Sequence, residues 1–154
     1  MNPANPETCR QHLAYMKWAD FRLLDAVAEH MPASLATLQH IYLGEVVWWL
    51  RVSGQEDAQI SQLTAPGDVG TLRDAWRDIH AKWATWAESA DFETIIPHRN
   101  LKGDPFRMPV WQIVLHLVNH GSFHRGQVAA MLRGAGFAPP ATDLIIWYRL
   151  GLEA

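Results

Sequence analysis

Three histidines spaced four residues apart, His116, His120 and His124, stand inside one long helical segment and restrict this chain more than any other feature. The segment reads as a helix from Pro109 to about Gly134. Proline suits a first helical turn, Gly136 suits a stop, and Pro139-Pro140 prevents continuation. Projected at ~100° per residue from His120, Ile113 and Met131 fall near +20°, Leu117 near +60° and Val128 near +80°, which defines an apolar stripe. His116, at about −40°, and His124, at about +40°, fall on the same side. A neutral imidazole on a buried face must satisfy both ring nitrogens or lose ~1–3 kcal/mol, so something polar must meet these rings. Eight histidines among 154 residues give only ~0.4 pairs at spacing four by composition alone. Here two such pairs overlap on one face.

The remaining periodicity is also helical. A first helix runs from Glu7 to about His30, with Leu13, Met16, Leu23, Leu24 and Val27 on one side, and ends at Pro32. A second follows from Ser34 to about Val52, and so short a connection sets the two antiparallel. Ser53 to Asp68 is polar and turn-rich. Its residues reach up to ~50 Å extended, enough to pass a ~30 Å helix, so the third helix is free to run parallel to the second. That third helix is predicted to start at Thr71 with Asp74 three residues on, and to carry Leu72, Trp76, Ile79, His80, Trp83 and Trp86 to about Ala90. Between Phe92 and Met108 the run Thr94-Ile95-Ile96 and the turn Lys102-Gly103-Asp104-Pro105 predict a short hairpin or ordered loop. The apolar tail Asp143 to Leu150 is expected to pack back on the helices. The fold class is therefore all-α, one domain over residues 1–154, with a crossover and an up-down helix order both admissible.

Composition narrows the partners. Apolar residues make up 49% of the chain and charged residues 19%, as in an ordinary globule. Thirteen Lys+Arg against 16 Asp+Glu give a net charge of −3, with no general attraction for nucleic acid or anionic lipid. Cys9 is the only cysteine, which excludes a disulfide scaffold. Val46-Val47-Trp48-Trp49-Leu50 is closed by Arg51, far short of the ~20 apolar residues of a membrane span. The opening Met1 to Thr8 lacks the basic start and apolar stretch of a secretory signal, so a cytoplasmic home is expected.

A metal ion is the economical partner for the histidines. Residues four apart on a helix have Cβ atoms ~6 Å apart and can both reach an ion at ~2.1 Å. His116 and His124 are ~12 Å apart along the axis, so the three cannot share one ion. A third ligand must come from another helix, and His40 is the best placed. Ala36, Leu43, Val47 and Trp48 turn to its side, and Gly44 is expected to leave an open volume for an exogenous molecule. Asn119 and Gln127 are candidates to orient ligand rings, with helix-boundary roles as the alternative. Trp18, Trp48 and Trp147 are candidate pocket walls, with plain core packing as the alternative. Arg125, near 140° from His120, reads as a structural ion-pair partner, and Glu45, near 140° from His40, points away from the ligand face. His12, His30, His80 and His98 show no converging partners and read as surface or boundary residues.

Asn119-His120-Gly121-Ser122-Phe123-His124-Arg125-Gly126-Gln127, followed by Met131-Leu132-Arg133-Gly134-Ala135-Gly136, resembles the fourth-helix signature of the DinB/YfiT-like superfamily. Tyr15-Met16-Lys17-Trp18-Ala19-Asp20 is similar to its first-helix pattern, and His40 with Trp48 to its second. Pro139-Pro140 leading to Asp143-Leu144 also matches. The resemblance covers nearly the whole chain except the stretch from Ser53 to Met108. It implies a four-helix bundle with a long crossover between helices 2 and 3, often dimeric, holding one divalent ion through three histidines. Carried over position by position, the ligands are His40, His120 and His124, and His116 is left as a neighbour. Many members have a further histidine at the position of Phe123, a departure that leaves the three ligands untouched.

Three neutral imidazoles leave a divalent ion its charge and at least one open position, as in catalytic rather than structural sites. Zinc or nickel comes first, with iron, manganese or copper also suited. Water on such an ion falls from a pKa of ~15.7 toward about 7, and a thiol can be held as thiolate. Family members of known activity use low-molecular-weight thiols on thiol-linked substrates, so the resemblance implies a metal-dependent transferase that presents a small thiol to a small-molecule electrophile. A hydrolase using metal-bound hydroxide, and a metal- or ligand-binding stress protein without turnover, are the alternatives. A tryptophan-rich chain with modest surface charge is also expected to cover an apolar face as a homodimer.

Overall fold

A computed structural model describes residues 5–55 and 57–151. The reading of the first four residues as signal-free, Glu56 of the predicted linker and the last three residues lie outside that description. The chain is mostly helical: α1 (Pro6–His30), α2 (Ala36–Val52), a 3-10 turn (Asp57–Gln62), α3 (Val69–Ala87), β1 (Ile95–Arg99), β2 (Pro105–Pro109), α4 (Val110–Gly134) and α5 (Leu144–Arg149). Among the described residues no helix is long and apolar enough to cross a membrane.

Local chemistry sets the boundaries. Asn5 caps α1 by accepting from Glu7 N at 3.0 Å, and Pro6 occupies the first turn. The start of α3 differs from the expectation. Asp68, extended and just outside the helix, accepts from the Thr71 amide at 2.9 Å and from its hydroxyl at 2.6 Å, so the helix begins at Val69 and Thr71 lies inside it. The hairpin forms as β1 and β2 paired antiparallel, Ile95 opposite Pro109 and Arg99 opposite Pro105. Asn100 Oδ1 accepts from the amides of Lys102 and Asp104, each at 2.9 Å, while Gly103 takes φ +89°. Pro109 closes β2 and caps α4 rather than entering it. At its far end Gly136, with φ +90°, terminates α4 as expected.

Contacts between helices give their relative directions. Arg73 pairs with Asp25 at 2.7 Å and Arg10 reaches the Ala87 carbonyl at 3.4 Å, so α3 runs against α1. Tyr42 meets Trp76 and Trp49 meets Trp83, so α3 runs with α2. His40 meets His124 while Trp48 meets His116, so α4 runs against α2. Asp20 pairs with Arg125 and His30 stacks on Phe137, so α4 runs with α1. The core between them holds Met16, Leu23, Leu38, Ile41, Trp76, Trp83 and Leu117, all nearly solvent-free. Trp147 of α5 is buried there too, as the apolar tail predicts.

The buried face of α4 is rotated from the expected one. Val110, Ile113, Val114, Leu117, Gly121, Arg125, Val128 and Leu132 are buried, whereas Met131 is exposed. That face centres about 90° from His120. The histidines therefore stand along its edge, between core and solvent.

Candidate metal centre

Because α2 and α4 are antiparallel, the one histidine of α2 that faces α4 sits beside two of α4 separated by a single turn. His120 Nε2 lies 3.1 Å from His40 Nε2. The His124 ring is 4.4 Å from that of His40 and 4.6 Å from that of His120, centroid to centroid. One ring nitrogen from each of the three falls within 4.8 Å of the others. Two imidazole lone pairs 3.1 Å apart repel unless a proton or a cation lies between them. Nitrogens bound at ~2.1 Å to a tetrahedral ion are about 3.4 Å apart, so this spacing is close to that of a coordinated pair.

The protonation pattern agrees. Burial, with His124 and His40 beside it, pushes the His120 imidazole down to about 4. Burial and His124 also lower His40. Both rings are thus neutral at ordinary pH and offer lone pairs. His124 Nδ1 donates to Gln127 Oε1 at 2.7 Å, a hydrogen bond that orients the ring. The cluster is shallow: His40 is exposed and the other two are half-buried.

Gly44 contributes differently from the expectation of an open volume. A Cβ on it would meet His120 Cε1 at 3.0 Å and Nδ1 at 3.3 Å, so the missing side chain makes room for a ligand ring and not for an exogenous molecule. Trp48 stands beside His116, 5.6 Å between centroids, and beside His98 at 4.9 Å. His116 is a neighbour of His120 at 5.8 Å, lowered by burial and by Arg51. Asn119 is exposed and, among the described residues, forms no hydrogen bond with the three histidines. Trp18 and Trp147 are not at this centre. They wall a groove of about 760 Å³ between α1 and α3.

A second polar cluster escaped the reading of the sequence. His80, taken as a surface or boundary residue, is buried among Asp20, Glu45 and Arg125, themselves essentially solvent-free. Arg125 donates to Asp20 Oδ1 at 2.6 Å, to Tyr15 Oη at 3.3 Å and to Ser122 Oγ at 3.1 Å, so it is the structural ion pair expected, though inside the core. Glu45 does point away from the three histidines, and its Oε2 accepts from Trp76 Nε1 at 2.8 Å. Burial pushes the Asp20 carboxyl up, and Arg125 with His80 more than offsets this, leaving it below the usual range. Burial and the charge of Asp20 hold Glu45 well above that range. The available signal was position: Asp20 and His80 occupy core places in the apolar patterns of α1 and α3.

Comparison with known proteins bears on these features together. The chain is 27% identical over 120 residues to protein DinB of Bacillus subtilis (strain 168), covering 73% of this chain and 70% of that protein. No solved structure matches it. The model of the DinB family matches residues 5–149, a span that takes in all the long helices, the hairpin and the three converging histidines. On that match the chain belongs to the DinB family.

Proposed function

We propose that His40, His120 and His124 hold one divalent cation at the edge of a crossover four-helix bundle formed by this single domain, and that the protein is a metal-dependent transferase using a low-molecular-weight thiol. The carrying observation is the convergence of three imidazoles on a half-exposed face, with a 3.1 Å Nε2 to Nε2 approach that a cation explains. Three nitrogen donors suit zinc or nickel, with iron, manganese or copper as further candidates. A divalent ion bound there supplies Lewis-acid chemistry and favours the thiolate form of a thiol ligand at neutral pH.

The protein groups have separate tasks. Gln127 orients His124, Gly44 admits the His120 ring, and Trp48 with His116 supports the ring from behind. Phe123, 65% exposed and 5.1 Å from His124, offers an apolar surface to an electrophile at the open side. Among the described residues no carboxylate joins the three imidazoles, which suits thiol attack better than hydrolysis because less proton traffic is required. A homodimer would cover some of the exposed apolar side chains Leu101, Phe106 and Leu150, and sedimentation over a range of concentrations tests it.

Metal analysis of untagged protein, followed by assay with several small thiols and an electrophile, tests the reading. The expected result is one ion at the histidines and conjugate formation that disappears on His124→Ala. Thiol-independent ester or amide cleavage would assign a hydrolase instead. Metal retention with no turnover of either kind would assign a binding protein, and an unchanged metal content in His120→Ala would remove the site.

A further inference from the structure

The interior cluster has an unusual deficit. Asp20 comes from α1, Glu45 from α2 and His80 from α3, and each is more than nine-tenths buried. Each also has one buried polar atom without a hydrogen-bond partner: Asp20 Oδ2, Glu45 Oε1 and His80 Nε2. Buried polar atoms are rarely left unpaired, and Arg125 Nε beside them is a fourth, but it is a donor, so the three that can act as ligands call for a common partner. His80 Nε2 stands 3.4 Å from Asp20 Oδ2 and 3.5 Å from Glu45 Oε2. Those separations are long for hydrogen bonds and close to the spacing of donors around an ion at ~2.1 Å. One ligand atom from each residue lies within 4.8 Å of the others.

We propose that Asp20, Glu45 and His80 form a second, buried divalent-cation site, separate from the three-histidine centre.

The other atoms of these groups are already held in place. Arg125 takes Asp20 Oδ1, which leaves Asp20 Oδ2 for an ion, while Glu45 Oε2, the oxygen 3.5 Å from His80 Nε2, also accepts from Trp76. Asp20 forms the ion pair with Arg125, and Glu45, held neutral beside it, would release its proton to an entering cation. Two carboxylate oxygens and one imidazole suit manganese, iron or zinc, a harder donor set than three imidazoles. His80 lines the ~760 Å³ groove between α1 and α3.

The simplest rival is a proton on Glu45 shared with Asp20. It satisfies two of the three orphaned atoms and leaves His80 Nε2 in place. The test uses the full chain with His40, His120 and His124 all replaced by alanine, dialysed against Mn²⁺, Co²⁺ or Zn²⁺ and then against metal-free buffer. The site predicts one ion retained per chain, against two in the unsubstituted protein, and at least a tenfold loss of affinity when His80→Gln is added. Should His80→Gln fail to fold, Glu45→Gln in the same background serves, since an amide preserves the size of the side chain and weakens the ligand. A folded triple variant that retains no ion overturns the proposal, as does an ion kept with equal affinity in His80→Gln or Glu45→Gln. Failure of the histidine centre reads differently, with one ion per chain both before and after the three alanines.

Discussion

The two polar clusters of this protein share α2 and α4 and obey opposite rules. On the outer side, His40, His120 and His124 turn ring nitrogens toward one another with no carboxylate among them and stay partly open to solvent. On the inner side, Asp20 and Arg125 form a 2.6 Å ion pair with almost no solvent exposure, and Glu45 and His80 crowd beside it. Gly44 and Gly121 make the two arrangements possible. The first clears the His120 ring, and the second clears the Arg125 guanidinium, which passes over it toward Asp20. The contrast separates two costs. The outer cluster gives up little stability to keep reactive groups exposed, whereas the inner one is committed to stability because any unpaired charge there has no water to turn to.

The largest expected effect follows from breaking the inner pair. Arg125→Ala leaves Asp20 charged and buried, an arrangement that typically costs ~3–5 kcal/mol. Chemical denaturation should show that loss without added metal. A change below about 1 kcal/mol would mean that the pair contributes no more than a surface salt bridge, and the contrast between the two clusters would fail.

Gly121→Ala should act in the same direction and more weakly. A Cβ there would lie 2.6 Å from Arg125 Nη1 and 3.3 Å from Cζ, and the guanidinium cannot easily retreat because Asp20, Tyr15 and Ser122 hold it. Overpacking of this kind costs ~1–3 kcal/mol, against ~1 kcal/mol gained by replacing glycine with alanine in a helix. A net loss of about 1 kcal/mol is expected, measurable as a lower denaturation midpoint. A more stable protein would show that Arg125 is free to move.

The outer cluster was legible in part because the spacing on α4 is a local signal, but that spacing left the pair among His116, His120 and His124 open, and it was the family resemblance that singled out His120 and His124 with His40 of another helix. The same projection misplaced the centre of the core face by about 45°, since Met131 was weighted as core and Arg125 was left off the stripe. The apolar count could not show that a buried arginine finds Asp20 across the interior. Asp20, Glu45 and His80 come from three helices, so their meeting is a property of helix order and rotation, and each alone reads as an ordinary polar exception. The start of α3 was displaced for a related reason. Thr71 resembles a cap in isolation, but Asp68 reaches both its amide and its hydroxyl and takes the role first.

The smallest effect is the sharpest test of the contrast, because its two readouts should move in opposite directions. Gly44 lies in the middle of α2, where alanine is favoured over glycine by up to ~1 kcal/mol. Its added methyl would press on His120 at 3.0 Å, a contact that the half-buried ring can relieve by shifting a few tenths of an ångström. Gly44→Ala is therefore expected to raise the stability of the metal-free protein slightly while lowering metal affinity about tenfold, the scale of effects when a ligand's orientation is disturbed. Parallel melting curves and metal titrations check both. If stability rises and affinity does not fall, His120 has no fixed place in the centre, and the glycine serves only the packing of α2 against α4.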